Sequence, residues 1–569
     1  MTTRWIYKED VDEQVVAQLS QDLEVNPIIA KILVQRGITN TELARNFFRP
    51  SLDLLHDPFL LEDMDKALIR IKKAIDTKEN ILIYGDYDVD GTTSVALVYG
   101  FFKNFYQNVQ FYLPDRGKEG YGISIAGIDW AAENNITLMI SLDCGIKAVD
   151  VTEYANKKDI DLIICDHHLP GEKLPQAYAI LDPKVEGCRY PFNELSGCGV
   201  GFKLLQAYCE KYGYDPDLLY DYLDLVAVSI AADIVPIVGE NRILAYHGLN
   251  KLNDNPRIGL QALIKMAGIK NEVNITSIVF GIGPRINASG RMSHAKTAVD
   301  LLLADDYKSI EALAESLDNR NLERRDLDSA TTHQAFDMID KNVLTGTLKS
   351  TVLFKEDWHK GVIGIVASRC IDKYYRPTII LTKSNGKATG SARSVDGFDI
   401  YEAISQCADL LDQYGGHMYA AGLTLSVDNV EAFKEKFERI VAESISSEQL
   451  VPLIDIDAVI RLKDISFKFH EILEQMAPFG PGNMQPVFVS HLLHVYGRPR
   501  ILKNQHLKFF VKQDNDDTPI EVIGFGFAEY YEMIDSGMRF SMAYYIDINK
   551  YQENTSLQLR VKDIRFEEV

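Results

Sequence analysis

The chain has 569 residues, 46% of them hydrophobic and 25% charged. At roughly 100–200 residues per domain that length allows about three or four compact units, and the absence of any run near ~20 apolar residues excludes a membrane-embedded class. Lys and Arg number 60 against 82 Asp and Glu, a formal charge of -22, so attraction to a polyanion needs a local basic groove.

The seven cysteines are scattered without a CxxC pair, which supports neither a disulfide framework nor a zinc ribbon. Cys144 and Cys165 end apolar runs and read as buried thiols. The N-terminal stretch MTTRWIYKEDVDEQ has no apolar core of the kind a secretory signal needs, and a cytoplasmic protein is expected.

In chain order, residues 1–75 read as helical segments punctuated by Pro27, Pro50 and Pro58. Residues 76–296 alternate short apolar runs with helical stretches, the pattern of an α/β domain with a mostly parallel sheet. A charged, proline-free stretch over 297–345 predicts one long connecting helix, and residues 346–448 a second α/β domain with glycine-rich turns. Residues 449–569 carry strand-like runs without long helices between them, which predicts a small β-barrel.

Chemistry concentrates in the first α/β region, where four apolar runs, read as strands, end in acid. ILIY leads to Asp86, Asp88 and Asp90; ITLMISL leads to Asp143; IDLIIC leads to Asp166, His167 and His168; LVAVSIAA leads to Asp233. In an open parallel sheet, residues just beyond the carboxyl ends of the strands converge on one crevice. Taken singly, an aspartate in such a place is more often a turn former or helix cap. Four together would repel unless a cation compensated them. Mixed carboxylate and imidazole ligation without thiolate favours manganese, or magnesium in its place, and two such ions suit phosphoryl chemistry.

The motifs YGDYDVDGTTS, SLDCG, CDHHLP and SIAADIVP resemble, in order and spacing, those of the DHH phosphoesterases. GIGPRINASGRM, TGSARS, GGHMYAAG and PFGPGNMQPVF are similar to markers of the RecJ branch of that superfamily. The resemblance covers nearly the whole chain. It implies a DHH domain joined by a long helix to a DHH-associated domain and then an OB-fold barrel. It further implies that Asp88, Asp90, Asp143, His167 and Asp233 ligate two metal ions with Asp143 as the bridge, and that Asp86 lies beside them with its coordination open. His168 is expected at the scissile phosphate, and Asp166 as an acceptor that fixes an imidazole tautomer.

Basic and glycine-rich segments supply the expected substrate contacts. Arg116 faces the same crevice by the family pattern, although a surface arginine in a loop is the plain alternative. Arg285 and Arg291 in PRINASGRM suit phosphate contacts. Ser391 and Arg393, with Gly415, Gly416 and His417, read as a phosphate pocket in which a Gly-Gly turn permits close backbone approach. In the family this pocket receives the 5′ end of the strand. Phe488, Tyr496, Phe509 and Phe510, with Arg498, Arg500, Lys503 and Lys508 near them, would line the barrel's groove, save those that form its core.

The expected activity is thus a two-metal, 5′-to-3′ exonuclease that takes single-stranded DNA between two lobes and releases 5′-mononucleotides in repair and recombination. The resemblance implies single-strand-binding protein and a helicase as partners. Two rivals are a phosphodiesterase acting on short oligonucleotides or cyclic dinucleotides, and an inactive nucleic-acid-binding module. A barrel groove is superfluous to the first, and the full set of acids opposes the second.

Overall fold

The computed structural model describes residues 3–292, 294–343, 348–513, 518–551 and 554–567. A short strand β1 (Arg4–Tyr7) pairs with a strand far along the chain, introduced below. The first sheet contains β2 (Asn80–Gly85), β3 (Val109–Tyr112), β4 (Ile136–Leu142), β5 (Asp161–Cys165) and β6 (Ala179–Leu181). Its order is β3-β2-β4-β5-β6 and every pairing is parallel. Parallel strands need crossovers that cover both faces, so both faces must be apolar. Ile81, Ile83, Leu138 and Ile140 accordingly enter one core, while Leu82, Tyr84 and Met139 enter another.

One sequence expectation is corrected here. LVAVSIAA is not a strand but most of a helix, Leu223–Ala232, and Asp233 is its C-cap. Nine of its ten residues are buried, from Leu223 to Ala231, and a helix buried all round loses the periodicity that separates it from a buried strand. The expected helix over 297–345 is likewise two helices, Lys296–Leu303 and Tyr307–Val343. Ala304 turns extended, and Asp306 accepts from the backbone of Lys308 and Ser309 to start the second helix. Positions 344 and 345 lie outside the described residues.

Two compact units emerge, one of residues 7–318 with 456–569 and the other of 1–6 with 319–455. The smaller unit holds β7 (Thr351–Phe354), β8 (Thr378–Ser384), β9 (Lys387–Arg393), β10 (Gln413–His417) and β11 (Ala420–Leu425), in the order β10-β11-β9-β8-β7. Only β7 and β8 run parallel. β12 (Leu453–Ile456) is the partner of β1.

The barrel consists of β13 (Ala458–Val459), β14 (Phe488–Leu502), β15 (His506–Gln513), β16 (Ile520–Gly524), β17 (Phe540–Tyr551) and β18 (Asn554–Phe566). The order β13-β14-β15-β16-β18-β17 closes through a second pairing of β14 with β17 and leaves β13 as the outer strand, a partly open barrel. Its core is shared with the N-terminal helices: Val16, Leu19, Ile29, Ile32 and Leu33 join Phe469, Phe488 and Phe509 in one cluster. Among the described residues no helix is long and apolar enough to cross a membrane.

Candidate active site

Each acid reaches the sheet's carboxyl edge for a local reason. Asp86 follows β2, and Asp88 caps the helix Val89–Lys103, its Oδ1 accepting from the Gly91 N–H at 3.0 Å. Asp90, in that helix's first turn, accepts from the Gly197 and Cys198 N–H groups at 2.6 and 2.8 Å and from the Ser229 hydroxyl at 2.7 Å. The N-terminus of the helix Gly197–Tyr212 thereby faces a carboxylate, as its dipole favours. Asp143 follows β4 with φ 60°, a conformation that costs a non-glycine residue energy and is common at functional sites.

Close approach of these loops depends on glycine. A Cβ at Gly91 would meet the Asp86 carbonyl oxygen at 2.4 Å, and one at Gly197 would meet Asp143 Cβ at 2.6 Å. The sequence motifs do not by themselves mark these glycines or Tyr121 as site residues; the signal for Gly197 is SGCGV, which opens an apolar helix. Tyr121 donates to the Asp143 carbonyl, and its hydroxyl lies 3.2 Å from His168 Nε2.

Three carboxylates surround one imidazole nitrogen. His167 Nε2 is 3.2 Å from Asp143 Oδ1, 3.6 Å from Asp233 Oδ2 and 3.7 Å from Asp90 Oδ2. Three groups of side chains have ligand atoms within 4.8 Å of one another: Asp143, His167 and His168; Asp90, His167 and Asp233; Asp86, Asp88 and Asp143. Asp86, Asp90, Asp143 and His167 are buried, and among the described residues neither Asp86 oxygen nor either His167 nitrogen has a hydrogen-bond partner.

Electrostatics follow from that crowding. Burial, then neighbouring carboxylates, pushes Asp86, Asp88, Asp143 and Asp233 up from the ordinary carboxylate range. Burial also lowers His167, against the pull of Asp90. Asp166 behaves oppositely: burial would raise it, but His168 and the Ile146 N–H outweigh that and bring it down to about 2. Its Oδ1 lies 2.7 Å from His168 Nδ1, so it orients His168, and it stands in none of the three groups. Asp182, after β6, is a further strand-end acid behind AIL, a run too short to mark a strand in the sequence; burial pushes it up to about 7. Crowded carboxylates, of which Asp86 is buried without a hydrogen-bond partner among the described residues, beside an imidazole whose protonation burial disfavours, fit divalent cations as the missing compensation.

The expected basic residues separate. The Arg116 guanidinium lies over the Tyr87 ring at 5.2 Å, and its charge bears on Asp86. Arg291 belongs to the helix Gly283–Met292, where a Cβ at Gly290 would meet the Tyr87 carbonyl oxygen at 2.4 Å, and its charge bears on Tyr87. Arg285 is committed elsewhere, to Asp318 at 2.8 Å and to the carbonyls of Gly281 and Met266; it pins helices together, contrary to the expected phosphate contact.

In the smaller unit Gly415 and Gly416 form no tight turn; they lie in β10 at the sheet edge. Across the strands Ser391 faces Gly422 and Gly422 faces Gly415, while Arg393 faces Ala420 and Ala420 faces His417. Arg393 Nη1 donates to Ser391 Oγ at 3.1 Å. A Cβ at Gly364, in the first turn of the helix Ile363–Tyr374, would meet Ser391 Oγ at 2.9 Å and Arg393 Nη2 at 3.2 Å.

The barrel register sorts its aromatics. Phe488 and Phe509 are core, whereas Tyr496 and Phe510 are cross-strand partners exposed at 52% and 40%. Arg500 faces Lys508, and Lys512 lies over the Tyr496 ring at 4.5 Å.

Comparison with known proteins agrees with this architecture. The DHH family N-terminal domain matches residues 80–230, the DHHA1 domain 340–443 and the RecJ OB domain 456–563. The single-stranded-DNA-specific exonuclease RecJ of Bacillus subtilis is 38% identical over 98% of this chain and 70% of its own length. The chain belongs to the RecJ family. Escherichia coli RecJ is 29% identical, with 98% of each chain covered. The crystal structure of Thermus thermophilus RecJ in complex with Mn2+ superposes with a TM-score of 0.85 at 26% identity, covering all of this chain and 80% of that one. The same protein is known in complex with Mg2+.

Proposed function

We propose that this protein is a single-strand-specific DNA exonuclease that digests from the 5′ end and releases 5′-mononucleotides, using two divalent cations, manganese or magnesium. The observation that carries the proposal is the sharing of Asp143 and His167 among the three ligand groups. Asp90, His167 and Asp233 would hold one ion and Asp86, Asp88 and Asp143 the other, with Asp143 as the bridge. Such ions supply Lewis acidity and an activated water when bound.

The chain's own groups would do the rest. Asp166 holds the His168 ring through Nδ1 and favours its protonated form, so that Nε2–H, beside the Tyr121 hydroxyl, would donate to the scissile phosphate. Arg116 and Arg291 bring positive charge to the phosphate beside Tyr87. Hydrolysis adds water across the P–O3′ bond between the first and second nucleotides. The first leaves with its 5′-phosphate and a new 3′-hydroxyl, and the remaining strand keeps a 5′-phosphate. A pocket of Ser391, Arg393, His417 and the β10 backbone that reads a 5′-phosphate would therefore meet the same group in every cycle. Tyr496 and Phe510 would stack bases farther along. The cellular setting would be repair and recombination, in the cytoplasm, with single-strand-binding protein and a helicase. The test is release of mononucleotides from long single-stranded DNA labelled at either end, with Mn2+ present. Label freed first from the 3′ end, or equal cleavage of duplex, overturns the reading.

A further inference from the structure

The segment after Asp233 buries three consecutive polar residues. Glu240, Asn241 and Arg242 are 1%, 0% and 5% exposed, in the first turns of the helix Gly239–Asp254. Burying a carboxylate, a carboxamide and a guanidinium together is costly unless they are hydrogen-bonded, and a different part of the chain engages each, although the Asn241 Oδ1 has no hydrogen-bond partner among the described residues. Glu240 accepts from the His56 N–H at 2.9 Å, the Tyr190 hydroxyl at 2.6 Å and the Lys203 ammonium at 3.1 Å. Asn241 donates to the carbonyls of Glu194 and Pro236. Arg242 lies over the Phe47 ring at 3.9 Å and donates to the carbonyls of Phe47, Met476, Ala477 and Pro478.

The last three carbonyls belong to the loop Met476–Asn483, which contains the PFGPGN motif whose chemistry the proposed reaction does not use. That loop grips the same segment again. The Ile237 N–H donates to the Pro481 carbonyl at 2.6 Å, and a Cβ at Gly480 would meet Ile237 Cγ1 at 2.5 Å. Asn483 closes the loop by donating to the Met476 and Pro478 carbonyls. Between these anchors and Asp233 lies Ile234, with φ 61° and 61% exposure. A β-branched residue in the left-handed region is an outlier, and such strain persists only where the surroundings over-determine it. Ile234 has little packing of its own to do so. The anchors on Pro236, Ile237 and Arg242 supply it.

We infer that Glu240, Asn241 and Arg242, together with the loop Met476–Asn483, form a positioning element that holds Asp233 at the acidic cluster. The inference rests on the reading of Asp233 as a metal ligand. The element acts through the backbone: Arg242 fastens the loop, the loop fastens Ile237, and Asn241 fastens Pro236, so the strained turn presents the carboxylate in one place. It also makes the barrel's attachment a condition of an intact metal site.

The test is Mn2+ binding to the full-length protein, read by the electron paramagnetic resonance signal of free Mn2+. The variants are Asp233→Ala, Gly480→Ala, Arg242→Lys and the double variant Asp233→Ala with Gly480→Ala. Asp233→Ala should weaken binding at least about tenfold, and Gly480→Ala and Arg242→Lys by about three- to tenfold with unchanged circular dichroism. The double variant should bind no more weakly than Asp233→Ala alone, since the wedge at Ile237 acts only through that ligand. Folded Gly480→Ala with wild-type Mn2+ affinity, or additive losses in the double variant, overturns the positioning role while the metal reading stands. Unchanged binding in Asp233→Ala overturns the metal reading and the inference with it. If Arg242→Lys does not fold, Gly480→Ala decides.

Discussion

Asp143 Oδ1 stands 3.2 Å from His167 Nε2, and the two residues follow neighbouring strands, β4 and β5. Each belongs to two of the three ligand groups, so this pair joins the groups into one site. Asp143→Ala should reduce mononucleotide release by at least about a hundredfold, as loss of the shared ligand of the proposed two-ion site implies. Its metal-free form should melt no lower than wild type, since a buried like charge has gone. Activity assays and calorimetry check both outcomes; retained activity sinks the shared-ligand assignment.

Metal removal should matter more as pH rises. Burial and mutual repulsion raise Asp86, Asp143 and Asp233 in the folded state, so folding favours their protonated forms. The stability they allow is full below the ordinary carboxylate range and is lost as pH climbs through their raised values. Bound cations replace those protons. The gap in Tm between Mn2+-loaded and chelator-treated protein should therefore be larger near about pH 8 than near about pH 5.5. A gap independent of pH would remove the carboxylate cluster as its cause.

How far the site was legible in the sequence depends on locality. Asp86, Asp143 and Asp166 each follow a short apolar run, and that pattern survives without a structure because strand direction alone delivers them to one edge. Asp233 follows a run that has the look of a buried strand in sequence but is a buried helix. Arg285 looked like Arg291 in sequence; only the fold brings Asp318 to it. Phe509 and Phe510 are neighbours on opposite faces of β15, a distinction that waits on register. The joint core of Val16 and Leu19 with Phe488 and Phe509 leaves no local signal at all.

The two histidines should divide their roles. His167→Ala removes a nitrogen ringed by three carboxylates and should lower Mn2+ content together with turnover. His168 is half exposed at its side chain and tied to Asp166, so His168→Ala should lower kcat while Mn2+ content stays near wild type. Elemental analysis beside steady-state rates separates them, and equal metal loss in both would merge the roles.

Exposed barrel aromatics should serve long strands. Deleting residues 450–569 is a poor test, because it would strip the N-terminal helices of their shared core and Arg242 of three acceptors. Tyr496→Ala with Phe510→Ala leaves that core in place, as both rings are outside it. At about 1–3 kcal/mol per stacked base, affinity for long single strands should fall at least about tenfold. Hydrolysis of very short oligonucleotides should change little; equal losses on both would make the rings part of the barrel's support alone.

The end that is read should depend on Arg393. Register brings Arg393 level with Ala420 and His417, and Ser391 level with Gly422 and Gly415, while the first turn of the helix Ile363–Tyr374 comes close to both side chains at Gly364. A guanidinium offers a planar, permanently charged fork to phosphate oxygens. A hydrogen bond to a charged group contributes about 1.5–3 kcal/mol, so losing it should slow the reaction roughly ten- to a hundredfold. Arg393→Ala should impose that loss on strands that begin with a 5′-phosphate and spare otherwise identical strands that begin with a 5′-hydroxyl, because only the first lose a partner. Metal content should not change, since no residue of the acidic cluster is altered. Four initial rates, for two proteins on two substrates, decide it: equal slowing on both substrates would mean that Arg393 supports its sheet through Ser391 and the Ala392 carbonyl without reading the terminal phosphate.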